Sequence, residues 1–293
     1  MNVSELKEYA MRNGADLVGI ANIERFDEVP LEKHPRSILP EAKSVVVLGR
    51  RIPRGALRGV EEGTQFQIYR LFGYDWLENR LLALTTYSVV RFLEDHRYEA
   101  VPLPSLPVGI PPMGVPVREG APPPNVIPDL TDAAVRAGLG EIGYCGVLLT
   151  PQFGPRQRLQ MVITDAPLTP DPIFEGRICD RCMECVNSCP LNAFLSGREK
   201  VMNVCDKTMV VGELDLNKCA GCKNGALPNL YHPAGGPDRL AALCVRSCID
   251  HLEKGGRLTS RFSIPFRRRP LWALDESGRP IGGEREDALG RRG

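Results

Sequence analysis

The sequence predicts an α+β fold in which a mixed helix-and-strand region precedes a separate cysteine-rich module. Two observations carry this. Strand-like and helix-like segments alternate through residues 1–170. Nine of the ten cysteines then fall after position 178. The boundaries that follow are 1–170, 171–255 and a C-terminal extension over 256–293, whose polar, glycine-rich end has little to bury.

Residues 4–13 place Leu6, Tyr9 and Ala10 on one helical face, and Gly14 is placed to end the helix. DLVGIA (16–21) reads as a short strand and AKSVVVLGR (42–50) as a stronger one, with loop and one helical turn between them. WLENRLLALTTYSVVRFLEDHR (76–97) repeats its apolar positions every three or four residues and is the best helix in the chain. YEAVPLP follows as a strand. Asp129 or Thr131 caps a short helix that Gly138 ends, and RLQMVITD is a further strand.

Residues 102–128 hold ten prolines, which excludes a central strand or a helix over most of the segment. An irregular stretch of this length is a linker or a binding loop. Its apolar side chains, Leu103, Leu106, Val108, Ile110, Met113 and Val115, favour one wall of a pocket.

Charged residues make up 25% of the 293, and the formal net charge is +1. No basic tail or patch points to DNA or to a membrane surface. No run reaches the length of a spanning helix. The N-terminus lacks a signal core, so a cytoplasmic, reducing setting is expected, where clustered cysteines bind metal more often than they form disulfides. Walker, H-E-x-x-H and G-x-S-x-G motifs are absent, and no G-x-G-x-x-G follows a strand.

The most specific stretch is CDRCMECVNSCP (179–190). Cys179, Cys182 and Cys185 are spaced to offer three thiolates from one tight loop to an iron–sulfur cubane. The fourth cysteine of a C-x2-C-x2-C-x3-C-P run serves a neighbouring cluster. A second set exists in Cys219, Cys222, Cys244 and Cys248. The grouping expected is Cys179, Cys182, Cys185 and Cys248 for one [4Fe-4S] cluster, and Cys189, Cys219, Cys222 and Cys244 for the other. Zinc favours paired knuckles instead. Cys205 stands as an alternative to Cys219, and Cys145 reads as a buried, inert thiol.

AGLGEIGYCGVLLTPQFGPRQRLQMVITDAPL (137–168), followed by the cysteine run, resembles the reductive dehalogenase and epoxyqueuosine reductase superfamily. ELKEYAMRNGADLVGIANIERF and HPRSILPEAKSVVVLG resemble its N-terminal helix and strands. The resemblance implies a nitroreductase-like α/β core that binds a corrinoid (cobalamin), with a C-terminal two-cluster ferredoxin-like module over 171–255. It implies a reductase passing electrons from a low-potential donor such as ferredoxin or flavodoxin, through both clusters, to the corrinoid and a small or modified-nucleoside substrate. An electron-transfer protein that lacks its own corrinoid and donates to a partner is the alternative. The chain departs from the pattern in two places. The position of the family's catalytic aspartate falls on Pro124, with Asp129 and Asp132 out of register. A 21-residue insertion separates Cys222 from Cys244.

With a corrinoid in place, Gly138, Gly140 and Gly143 would let backbone approach the ring; a tight turn after a helix is the other reading. Arg136 and Arg156 are candidates for amide or carboxylate groups of cofactor or substrate, or for solvated surface. Tyr144 is the candidate proton donor, or a packed aromatic.

Overall fold

Val45, Val46 and Val47 have no polar partner in their alternation, and the structure shows why: their strand is covered on both faces. The structure, a computed structural model, describes residues 2–106, 110, 114–232 and 235–281. Val108, Met113 and most of the polar end expected over 276–293 lie outside the described residues.

The central sheet contains β1 (Leu17–Asn22), β2 (Ser44–Arg51), β3 (Ala100–Leu103) and β4 (Gln157–Thr164) in the order β1-β2-β4-β3. Every pairing is antiparallel, with Val46 opposite Ile20 on one side and Val162 on the other. The fold is therefore α+β. On one face, Val46, Leu48 and Val162 pack against Leu6 and Ala10 of α1 (Val3–Arg12) and Val89 and Leu93 of α2 (Ala83–Asp95). On the other, Val45, Val47 and Ile163 meet Ala133, Ala134 and Val135 of α3 (Leu130–Arg136).

Local signals explain the ends. Asn2 caps α1 by accepting from the Glu5 N–H at 2.8 Å, and Asp129 caps α3 by accepting from the N–H groups of Thr131 and Asp132. The helical path before α2 begins earlier than its periodicity indicates, with wide π-type turns over Tyr69–Asp75 and Leu77–Leu82. A hairpin of β5 (Phe194–Val204) and β6 (Lys207–Leu214) interrupts the cysteine-rich region. Its Val204 and Met209 enter the core on the α3 face of the sheet, so residues on both sides of position 170 share one core.

The last helix, α4 (Leu243–Lys254), presses Val245 and Ile249 against Ile52, Leu57, Val60 and Tyr69. Beside them Arg246, 1% exposed, pairs with Glu61, which also accepts from Arg267 Nε at 2.6 Å. Removing one member of a buried pair strands the other charge away from water, at a cost of about 3–5 kcal/mol. Glu61→Ala should therefore lower the unfolding free energy measured in urea by an amount of that order. Arg269→Ala, which removes an exposed partner of Glu62, should change stability by less than about 1 kcal/mol.

Candidate functional site

The segment after α3 forms the cradle for the cysteine run. Gly138 has φ +74°, and a Cβ there would lie 2.1 Å from the Pro172 carbonyl oxygen. A Cβ at Gly140 would lie 1.9 Å from that of Leu149. These glycines let the chain pack against itself. Next comes Glu141, 6% exposed, whose Oε1 accepts from the N–H groups of Ile178 and Cys179 at 2.6 and 2.7 Å. Its other oxygen is 3.3 Å from Lys207 Nζ. One carboxylate thus pins the start of the cysteine loop to the sheet domain. The Tyr144 N–H then donates to Cys179 Sγ at 3.4 Å.

The loop turns through left-handed backbone at Arg181 (φ 58°) and Met183 (φ 63°), and a short helical turn, Glu184–Asn187, carries Cys185 inward. Cys185 is buried and Cys182 exposed. Cys189 follows, its Sγ accepting from the Ala193 N–H at 3.4 Å. Cys219 lies on the short helix Leu216–Ala220, capped by Asp215. Cys244 and Cys248 are one turn apart on α4, hence on one helical face.

These elements line two small cavities. One has Cys189, Cys219, Cys222 and Cys244 in its wall, with Arg239. The other has Cys179, Cys182, Cys185 and Cys248, with Cys145 and Tyr144. Cys145 is 1% exposed and lines the same cavity as Cys185 and Cys248, an association its isolated place in the sequence did not reveal. Cys205 lines neither; it sits with φ 51° in the turn between β5 and β6, 4.0 Å from Arg136 Nη1. Burial pushes the Cys244 thiol up to about 12 and raises Cys219 as well, with the Arg239 charge opposing both. Any metal must displace thiol protons here.

Among the described residues, only Asp180, Cys182 and His251 bring three His, Cys, Asp or Glu ligand atoms within 4.8 Å of one another. His251 Nε2 is 2.9 Å from Asp180 Oδ2, and Arg257 Nη2 is 3.1 Å from the same oxygen, so the carboxylate is held at the rim of the first cysteine loop.

A wider cleft of about 1020 Å³ lies elsewhere, between residues 27–40 and 117–126. Leu103 reaches it, but Val115 is 74% exposed, and the proline-rich wall is formed by the later Val117–Val126 stretch. His34, also missed by sequence reasoning, lines it and is 7% exposed. Its Nδ1 accepts from the Arg36 N–H at 3.0 Å, and burial followed by the Arg36 charge lowers its pKa, favouring the neutral ring.

The residues expected to touch a cofactor or substrate sit elsewhere. Arg136 is buried against Asp132, Glu28 and the Arg25 carbonyl. Arg156 donates to the Ile52 carbonyl at 3.0 Å and lies 5.5 Å from the Phe262 ring. Gly143 packs on Leu149, where a Cβ would come within 2.7 Å of Cδ1. Tyr144 stacks on Phe194, with the Arg181 guanidinium 5.5 Å from its ring centroid. Burial, followed by a hydrogen bond to Glu199, raises its phenol pKa. None of these four, nor Gly138 or Gly140, lines the cleft. Arg136 and the three glycines meet groups of the chain itself, whereas Arg156 Nε and Nη2 are buried without a hydrogen-bond partner.

Glu141→Ala would leave two buried N–H groups without their acceptor and remove the partner of Lys207. An unsatisfied buried donor costs about 1–3 kcal/mol. The variant should lose at least that in chemical denaturation, and limited proteolysis should cut first near residues 176–182.

No family model matches the chain. A tetrachloroethene reductive dehalogenase of Sulfurospirillum multivorans is 33% identical over 150 residues, covering 48% of this chain and 24% of the relative. An epoxyqueuosine reductase of Bacillus cereus is 29% identical over 224 residues, covering 70% and 48%. Among solved structures, a catabolic reductive dehalogenase in complex with 3-bromo-4-hydroxybenzoic acid aligns with a TM-score of 0.49 at 20% identity, over 97% of this chain and 42% of that one. The chain spans less than half the length of these relatives. It is homologous to the tetrachloroethene reductive dehalogenases and the epoxyqueuosine reductases.

Proposed function

We propose that the chain is an iron–sulfur oxidoreductase with two [4Fe-4S] clusters, and that it reduces a small substrate. The observation that carries the reading is that the eight cysteines of the two runs divide four and four between separate cavities, with Cys145 a fifth thiol at one of them. Cys189 and Cys248 each belong to the cavity opposite their sequence neighbours, the exchange a two-cluster ferredoxin pattern requires. Spacing supports a cluster over a single ion. Zinc with bonds of about 2.3 Å needs four sulfurs about 3.8 Å apart, and among the described residues no three cysteine sulfurs all lie within 4.8 Å of one another.

In this reading residues 171–255 form a ferredoxin-like module on a nitroreductase-like core of residues 1–170, with 256–293 as an extension. Bound clusters supply one-electron transfer. The chain's own part is to provide thiolates, exclude water and stabilise sulfur charge through N–H groups. The Tyr144 and Ala193 amides do so at Cys179 and Cys189, and Asn224 Nδ2, 3.8 Å from Cys222 Sγ, does so at the second set. The exposed Cys182 marks the side nearest an external donor such as ferredoxin or flavodoxin. Among the described residues no helix is long and apolar enough to cross a membrane; the proposed location is cytoplasmic.

The corrinoid part of the proposal rests on the relatives, one of which was studied for B12-dependent dehalogenation. Arg136, Gly138, Gly140 and Gly143 pack against the chain's own groups, while Arg156 keeps Nε and Nη2 without a hydrogen-bond partner. The cleft beside His34 is the remaining candidate. That internal packing also favours the second reading, an electron-transfer protein without its own corrinoid.

Anaerobic reconstitution tests the first part. About eight irons per chain are expected for two clusters; about four would sink the two-cluster reading. Cys182→Ser should lose about half the iron and destabilise the module, because cluster binding is folding energy there. Cys205→Ala should retain the full load.

Cobalamin, added under reducing conditions at saturation, tests the second. A changed cobalamin spectrum and protection of residues 114–126 from proteolysis would support the cleft. An unchanged digest and spectrum would leave the electron-transfer reading.

A further inference from the structure

The insertion between Cys222 and Cys244 is held more firmly than a surface loop. Leu227 and Asp238 exchange backbone hydrogen bonds at 2.9 and 2.8 Å. The Asp238 carboxylate is buried, 2.9 Å from Arg158 Nη2, and accepts from the Tyr69 hydroxyl at 2.6 Å. This anchor fixes the residue that follows, Arg239. The Arg239 guanidinium lies between the two cysteine cavities. It lines the one formed by Cys189, Cys219, Cys222 and Cys244. Its Nη2 donates at 2.9 Å to the carbonyl of Cys145, which lines the other. Its Nη1 is buried without a hydrogen-bond partner, and no carboxylate is paired with it among the described residues.

A guanidinium withdrawn from water without an anion is costly. Four thiolates around a cluster supply that anion, since the ligated cluster carries a net negative charge that grows by one on reduction. A fixed cation stabilises the reduced state more than the oxidised one, and in a low-dielectric site it does so most for the nearer centre. We propose that Arg239 is a positioning residue for electrons: it raises the reduction potential of the Cys189–Cys219–Cys222–Cys244 centre relative to the other. With both clusters bound, an electron passing from the first centre to the second would oxidise one and reduce the other, with no bond or proton changing hands. Arg239 then biases that exchange toward the second centre. The proposal rests on the two-cluster reading above. It assigns a role to the insertion, the feature by which this chain departs from the family's cysteine pattern.

Potentiometric titration followed by electron paramagnetic resonance tests it on the reconstituted full chain. Cys182→Ser, expected to lack the first centre, identifies the signal of the second. Arg239→Gln should shift the exchange equilibrium toward the first centre about tenfold, which is about 59 mV for a one-electron couple. The second centre should move to more negative potential and the first should move less. Arg239→Lys, which keeps the charge, should stay nearer the unsubstituted protein. Unmoved potentials, equal shifts at both centres, or equal shifts for Gln and Lys would overturn the proposal.

Should Arg239→Gln fail to take up iron, pulsed paramagnetic resonance on the unsubstituted protein grown with 15N-arginine decides. An arginine nitrogen coupled to the reduced second centre is expected, and no coupling overturns the assignment. Failure of the two-cluster reading itself is separable, because it shows as about four irons in the unsubstituted chain.

Discussion

The Glu141 carboxylate, caught between the Ile178 and Cys179 amides and Lys207, joins the two halves of the molecule. Everything downstream hangs from it. A loop with left-handed residues at Arg181 and Met183 has no regular hydrogen-bonding pattern of its own, so an external acceptor must set where it starts. Placing that acceptor three residues after a left-handed Gly138 ties the loop to α3, and through α3 to the sheet. The position of the first cysteine therefore depends on the sheet and α3 as much as on the cysteine loop itself.

A second constraint comes from α4. One helix supplies a cysteine to each cavity, and its other face is fixed by the Arg246–Glu61 pair and by Val245 and Ile249 in the apolar cluster around Ile52 and Val60. The two cavities cannot move apart without breaking this helix or its packing. Such rigidity would suit the electron transfer between two centres that we propose, which depends on a constant separation. The cost is a buried ion pair whose members each depend on the other.

The polar interior on the other side of the insertion follows the same logic. Arg158, Asp238, Glu78 and Tyr69 form one buried network. Burial raises the carboxyl of Glu78, while Arg158 opposes that shift. The network fastens residues 69–82 to the insertion and so holds Arg239 in place beside the cysteines. Charges in this protein act mainly as ties between segments distant in sequence.

The sequence by itself determined what short-range chemistry can determine. Three consecutive valines marked a strand, Asp129 or Thr131 marked the start of α3, and the spacing of Cys179, Cys182 and Cys185 pointed to one tight loop. Tertiary structure decided what depends on who approaches whom. The space at Gly138 and Gly140 is taken by the chain's own carbonyls. Arg136 finds Glu28 more than a hundred residues away. Cys145 comes to lie against Cys185 and Cys248, and the wall of the cleft is made by Val117–Val126. The β5–β6 hairpin carries no clear apolar alternation, because most of its outward positions are polar and, of its hydrophobic side chains, only Val204 and Met209 are deeply buried. A glycine, an arginine or a lone cysteine has the same local signature whether it meets a ligand or its own chain. Only the fold supplies the partner that distinguishes them.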